Sequence, residues 1–127
     1  MPLARIDLVT GKSADYRRTI ADVGYEGFIG PLKAPEGDRF QVITEHPHDG
    51  LIVDPNYLGI QRTKDCIFIQ VTMNEGRTVE QMKAFFKNVA DGLHQRLGLR
   101  REDVLINLVE VRKENWSFGN GIAQYAE

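Results

Sequence analysis

Displaced by 65 residues, the chain lies over itself: Gly11-Lys12-Ser13 falls on Gly76-Arg77-Thr78, and Asp38 falls on Asp103. Between these anchors each copy has the same order of features. An apolar strand leads to a Gly-cation-hydroxyl turn, then an amphipathic stretch, then an acidic residue that opens a second apolar strand. A period this long, present only twice, indicates duplication of one unit rather than a solenoid. Any fold for this chain is therefore built from two equivalent halves.

In the first half Ala4, Ile6 and Leu8 alternate with Arg5 and Asp7, the pattern of a strand with one buried face. Ser13 is placed to cap a helix on which Tyr16, Ile20 and Val23 share one side. Gly24, Gly27 and Gly30 weaken that helix, and Pro31 ends it. A second strand is expected from about Arg39 to Glu45. In the second half Ile67, Ile69, Val71 and Met73 form a strand, and Thr78 with Gln81 makes a capping box. Met82, Phe85, Phe86, Val89, Leu93 and Leu97 then recur at helical spacing, before a last strand from Val104 to Val111.

Each half is thus strand, helix, strand, with a crossover long enough to make its two strands parallel. The expected fold class is α/β, or α+β in some schemes: a duplicated β-α-β fold with a four-stranded, mainly parallel or mixed sheet and both helices on one face. The repeats cover about residues 2–46 and 66–111 of a single 1–127 domain, followed by a C-terminal extension. Between them, Pro47 to Gly59 reads as a loop with a small edge strand at Leu51-Ile52-Val53. The uncovered sheet face points to burial against neighbouring subunits.

The 127 residues suffice for one core, and 42% hydrophobic with 27% charged residues excludes disordered and low-complexity classes. The 16 Lys+Arg and 18 Asp+Glu give −2 with no dense basic run, which argues against a nucleic-acid partner. No stretch approaches the roughly 18 continuous apolar residues of a membrane span. Cys66 is the single cysteine, so no internal disulfide forms, and the first twenty residues lack the apolar core of a signal peptide. A cytoplasmic location is expected.

Position 2 is the first candidate for chemistry. Proline after the initiator Met permits methionine removal, which leaves a secondary amine at the start of a strand. Such an amine is an acid, a base or a nucleophile according to its surroundings, and an incidental residue where Met1 is retained, because the nitrogen is then an amide. Arg77, in a turn that opens a helix, combines a cation with free backbone N–H groups and suits a carboxylate or phosphate; Lys12 holds the equivalent turn. The plainer alternative is that Ser13 and Thr78 cap helices and the cations are solvated. Asp38 is a candidate carboxylate, or, with Asp103, shares a structural task. Trp116 and Phe118, set among small residues, either wall a pocket or dock on another subunit. His46 and His48 lack further ligands at metal-site spacing, so neither a metal nor a cofactor is expected. His94 falls on the polar side of the second helix, and Cys66 reads as a buried thiol.

Pro2, the two matched β-α-β units, Gly37-Asp38-Arg39-Phe40-Gln41 and Trp116-Ser117-Phe118-Gly119 together resemble the tautomerase superfamily, in particular its malonate semialdehyde decarboxylase-like branch. The resemblance runs from Pro2 to about Tyr125. It implies a homotrimer that covers the bare sheet face, with Pro2 as catalytic amine, Asp38 as the assisting carboxylate and Arg77 as the grip on a substrate carboxylate. Trp116 and Phe118 are then the apolar wall, and Lys12 matches a substrate-binding arginine of the shorter tautomerases. One departure stands out: the decarboxylase pattern has two arginines separated by one residue, whereas Met73-Asn74-Glu75-Gly76-Arg77 is one residue longer and has one.

The resemblance implies an enzyme that uses the N-terminal proline for keto-enol tautomerisation or decarboxylation of a small oxo acid. Malonate semialdehyde-like and phenylpyruvate-like compounds are the expected substrates. The alternative is a noncatalytic trimer of the same fold that binds a metabolite or a partner.

Overall fold

The computed structural model describes residues 2–126; Met1, whose removal decides the chemistry of Pro2, and Glu127 lie outside the described residues. Strand β1 (Leu3–Val9), helix α1 (Ala14–Ile29) and strand β2 (Phe40–His46) form the first half. Strand β3 (Ile67–Asn74), helix α2 (Val79–Leu97) and strand β4 (Val104–Val111) repeat that order. The four strands make one sheet in the order β2-β1-β3-β4. Within each half the strands are parallel, and the two halves join antiparallel through β1 and β3. The sheet is therefore mixed, and the duplicated β-α-β expectation holds.

Alternation along the central strands sends Ala4, Ile6 and Leu8 of β1 and Ile67, Ile69, Val71 and Met73 of β3 to one face. There they meet Ile20, Val23 and Phe28 of α1 and Phe85, Val89 and Leu93 of α2 in a single core. Full burial of each such side chain contributes about 1.5–3 kcal/mol. Ser13 caps α1 by accepting from the Tyr16 N–H at 3.0 Å, and Thr78 with Gln81 forms the capping box of α2.

One glycine of α1, Gly27, and one of α2, Gly92, have a packing cause. A Cβ at Gly27 would lie 2.8 Å from the Phe85 ring, and one at Gly92 would lie 2.9 Å from Val23. The two helices cross this closely because each presents a glycine to the other's bulky residue, and α1 continues through Gly24 and Gly27 to Ile29.

The opposite sheet face carries Phe40, Val42, Leu105 and Val109, all exposed in the single chain. The small edge strand expected at Leu51-Ile52-Val53 does not form; that stretch is irregular between short 3-10 turns at His48–Gly50 and Tyr57–Gly59. Bounded by Gly50 and Asp54-Pro55, whose residue types are depleted in strands, these three apolar residues stay outside the sheet, and Ile52 is left 86% exposed.

Candidate active site

Strand directions bring the expected residues to one end of the sheet. Parallel pairing sets Leu3 opposite Phe40, so the start of β1 lies beside the start of β2 and its preceding Asp38. Antiparallel pairing sets Leu3 opposite Thr72, so the end of β3 and the turn that carries Arg77 arrive at the same place. Pro2, buried immediately before β1, thus stands between the Asp38 segment and the Asn74–Arg77 turn.

Asp38 is half-buried beyond a turn closed by its own N–H, which donates to the Pro35 carbonyl at 3.1 Å. Burial pushes its carboxyl above the ordinary value, against the pull of the Arg77 guanidinium. Arg77 is half-buried as well. Its Nε donates to the Leu32 carbonyl at 3.0 Å and its Nη1 to the Asn74 carbonyl at 3.2 Å. These two bonds set the plane of the guanidinium, and its remaining N–H groups suit a bidentate hold on a carboxylate.

The C-terminal extension folds back to supply an apolar wall. Trp116 and Phe118 stack with centroids 5.6 Å apart, and Tyr125 meets Phe118 edge-on at 5.1 Å. Gln124 holds the fold-back, accepting from the Phe118 N–H at 2.9 Å and donating to the Gly119 carbonyl at 3.0 Å. Leu3, Phe40, Trp116, Ser117 and Phe118 line a cavity of about 220 Å³ at this end of the sheet. Sequence reasoning missed Asn74, whose Oδ1 accepts from the Trp116 indole at 2.7 Å and whose carbonyl holds Arg77. A signal was present: Asn74 falls on Val9 in the repeat, a polar residue at a position that is apolar in the other copy and buried in both.

Lys12 does not join this cluster within one subunit. It follows the far end of β1, 3.3 Å from Asp65, with its ammonium 5.1 Å from the centre of the Tyr16 ring. That end holds the second copy's counterpart of the Asp38 site, and there the loop before β3 takes up the acidic residue. Asp103 is 1% exposed and accepts from the Thr63 N–H at 2.7 Å and the Thr63 hydroxyl at 2.6 Å. Asp103 is therefore structural, and Asp38 is not its functional twin. Cys66 is buried nearby; burial first, then the Asp103 charge, push its thiol up to about 11 against the pull of Arg62, so it is a poor nucleophile. His46 Nε2 lies 2.6 Å from Asp7 Oδ1 on the bare sheet face, and His94 is exposed on α2.

The duplicated β-α-β sheet, with Pro2, Asp38, Arg77 and the aromatic wall at one end, has the architecture of the tautomerase fold. A family model described as tautomerase enzyme matches residues 38–119, and the chain belongs to that family. It is 39% identical over 127 residues, covering all of both chains, to probable tautomerase YusQ of Bacillus subtilis (strain 168). Probable tautomerase YrdN of the same strain is 32% identical over 125 residues, 98% of this chain and 96% of that one. Among solved structures, FG41 malonate semialdehyde decarboxylase inhibited by 3-bromopropiolate superposes with a TM-score of 0.91 at 36% identity, covering 98% of this chain and 94% of its own. A wild-type fused 4-OT, a symmetric trimer, shares the fold, with a TM-score of 0.80 at 19% identity and 98% of both chains covered.

Proposed function

We propose that the protein is an enzyme that uses Pro2, freed by removal of Met1, to tautomerise or decarboxylate a small oxo acid. The observation that carries this reading is the convergence of Pro2, Asp38 and the oriented Arg77 guanidinium at one end of the sheet, next to the Trp116–Phe118 wall. Arg77 grips the substrate carboxylate and the wall accepts its apolar part. Asp38 assists the amine and orients water.

With Pro2 neutral, its nitrogen takes a proton from the enol oxygen or the α-carbon, the electron pair moves through the C–C–O unit, and the proton returns at the other atom. With Pro2 cationic, its N–H polarises the carbonyl of a 3-oxo acid; with Pro2 neutral, its lone pair attacks that carbonyl carbon and the adduct loses water to give an iminium. The C–CO2 bond then breaks, its electron pair flows toward that carbonyl or iminium, and CO2 leaves. Of the two reactions, the single arginine of the Met73–Arg77 turn favours tautomerisation over decarboxylation, since tautomerisation needs one carboxylate grip and one proton shuttle. The resemblance to trimeric relatives and the exposed apolar sheet face support a homotrimer.

Intact-mass measurement of the native protein is expected to give a chain that begins at Pro2. Phenylpyruvate tautomerisation and malonate semialdehyde decarboxylation, assayed with Pro2→Ala beside the parent, test the catalysis. Equal rates for the two proteins, or a retained Met1, would instead support a noncatalytic trimer that binds a metabolite or partner, a reading favoured by the missing second arginine.

A further inference from the structure

Both residues that flank Asp38 are anchored to the same side chain of α1. The Gly37 N–H donates to the Tyr25 hydroxyl at 2.7 Å, and the Arg39 guanidinium lies 4.9 Å from the centre of the Tyr25 ring. Arg39 is fixed further by Nη2 donating to Asp22 Oδ1 at 2.7 Å and Nε donating to Gln41 Oε1 at 2.9 Å. Gln41 in turn donates to the Ala21 carbonyl at 2.7 Å. Gly37 has φ +87°, a left-handed conformation open to glycine and strained for other residues, so the turn before Asp38 is narrowly defined. Among the described residues these partners share no hydrogen bond, ion pair or ring contact with the aromatic wall or Arg77, and they grip the backbone on either side of one carboxyl.

We propose that Tyr25 and Arg39 are positioning residues that hold the Asp38 carboxyl against Pro2 by clamping the 37–39 segment to α1. Without the Tyr25 hydroxyl the Gly37 amide turns to water and the segment gains freedom at its first anchor. Without the Arg39 fork it loses the second. In either case the Asp38 backbone is held from one side only, and its carboxyl moves out of the partly buried position it occupies. A displacement of about 1 Å at a reacting group lowers rates by up to about a hundredfold.

This inference rests on the assignment of Asp38 to the site, and two readouts let the clamp and that assignment fail separately. The first is a ¹³C titration of the Asp38 carboxyl, assigned with Asp38→Asn. Tyr25→Phe keeps the ring under Arg39 and removes only the hydroxyl. It is expected to move the Asp38 midpoint toward the ordinary aspartate value. Arg39→Met is expected to do the same and Arg39→Lys to restore part of the parent behaviour. Arg96→Gln, which removes an ion pair with Glu26 on the α2 side of the helix, is expected to leave the midpoint unchanged.

The second readout is phenylpyruvate tautomerisation. Tyr25→Phe is expected to lower kcat about tenfold with KM within about twofold, because the lost bond acts through Asp38 rather than through the Arg77 grip. In an Asp38→Asn background the same substitution is expected to have no further effect on kcat. An unchanged Asp38 midpoint in Tyr25→Phe, or an equal kcat loss in both backgrounds, overturns the clamp. Where Pro2→Ala equals the parent the catalytic reading fails, and the titration alone decides the clamp.

Discussion

The Trp116 indole donates to Asn74 Oδ1 at 2.7 Å, and through this bond the C-terminal extension is fastened to the end of β3. Asn74 is 8% exposed, and its carbonyl also holds the Arg77 guanidinium at 3.2 Å, so one residue ties the apolar wall to the charged grip. Replacement by valine, the residue at the matching place of the first copy, keeps the backbone carbonyl and removes the amide. Asn74→Val is expected to raise KM about fivefold, as the loss of a bond of about 1 kcal/mol implies, and to red-shift the fluorescence of the single tryptophan. Unchanged emission would show that Trp116 is held by stacking alone.

Two glycines of α1 separate packing from propensity. Gly27→Ala drives a methyl to within 2.8 Å of a Phe85 ring that is 0% exposed, an overpacking that costs about 1–3 kcal/mol. At Gly24 the added methyl meets only Gln41 Nε2 at 3.5 Å, and the helical gain of Ala over Gly, about 0.5–1 kcal/mol, remains. Urea unfolding should therefore show opposite shifts in midpoint for the two variants.

Asp38 gives the stability of the protein a pH signature. Burial raises its pKa above the ordinary 3.8, so the native state holds the proton more tightly than the unfolded chain does. Stability is then lost as pH rises from 3.8 through the folded value, where the buried carboxylate ionises. Asp38→Asn should be more stable than the parent at pH 7, with the difference gone by about pH 3, while activity falls. Urea midpoints measured across that range check the sign, and a variant less stable than the parent at pH 7 would contradict it.

Cys66, 0% exposed with its thiol pushed up to about 11, should resist iodoacetamide at pH 8 in the folded protein and react once the chain is unfolded in urea. Mass spectrometry distinguishes the two states. Rapid alkylation of the native protein would mean that the loop before β3 opens readily.

The repeat and the period-two strands were legible because duplication and one-sided burial are written directly into residue order. Helix α1 was legible in extent, but the reason for its glycines was not, since Gly27 answers to Phe85, 58 residues away along the chain. Pro2 and Asp38 were drawn together by strand direction, which the β-α-β pattern supplies, and Arg77 joins them through the antiparallel pairing of β1 with β3. Lys12 matched Arg77 by position, yet matching positions in an antiparallel duplication fall at opposite ends of the sheet. Asn74, Tyr25 and the Leu32 carbonyl were not foreseen, because each acts through a contact that exists only once the turns have closed.

The latch between Asp103 and Thr63 bears on the arithmetic of duplication. A polypeptide begins once, so fusing two equivalent units leaves the second without a free terminus, and its acidic residue has become a fastening for the linker. The symmetric body thus carries an asymmetric labour: the acidic residue of one unit stands at the candidate site while that of its twin closes the frame. A circular permutant opened just ahead of Ile67 would reverse those duties and reveal how much of the older symmetry survives.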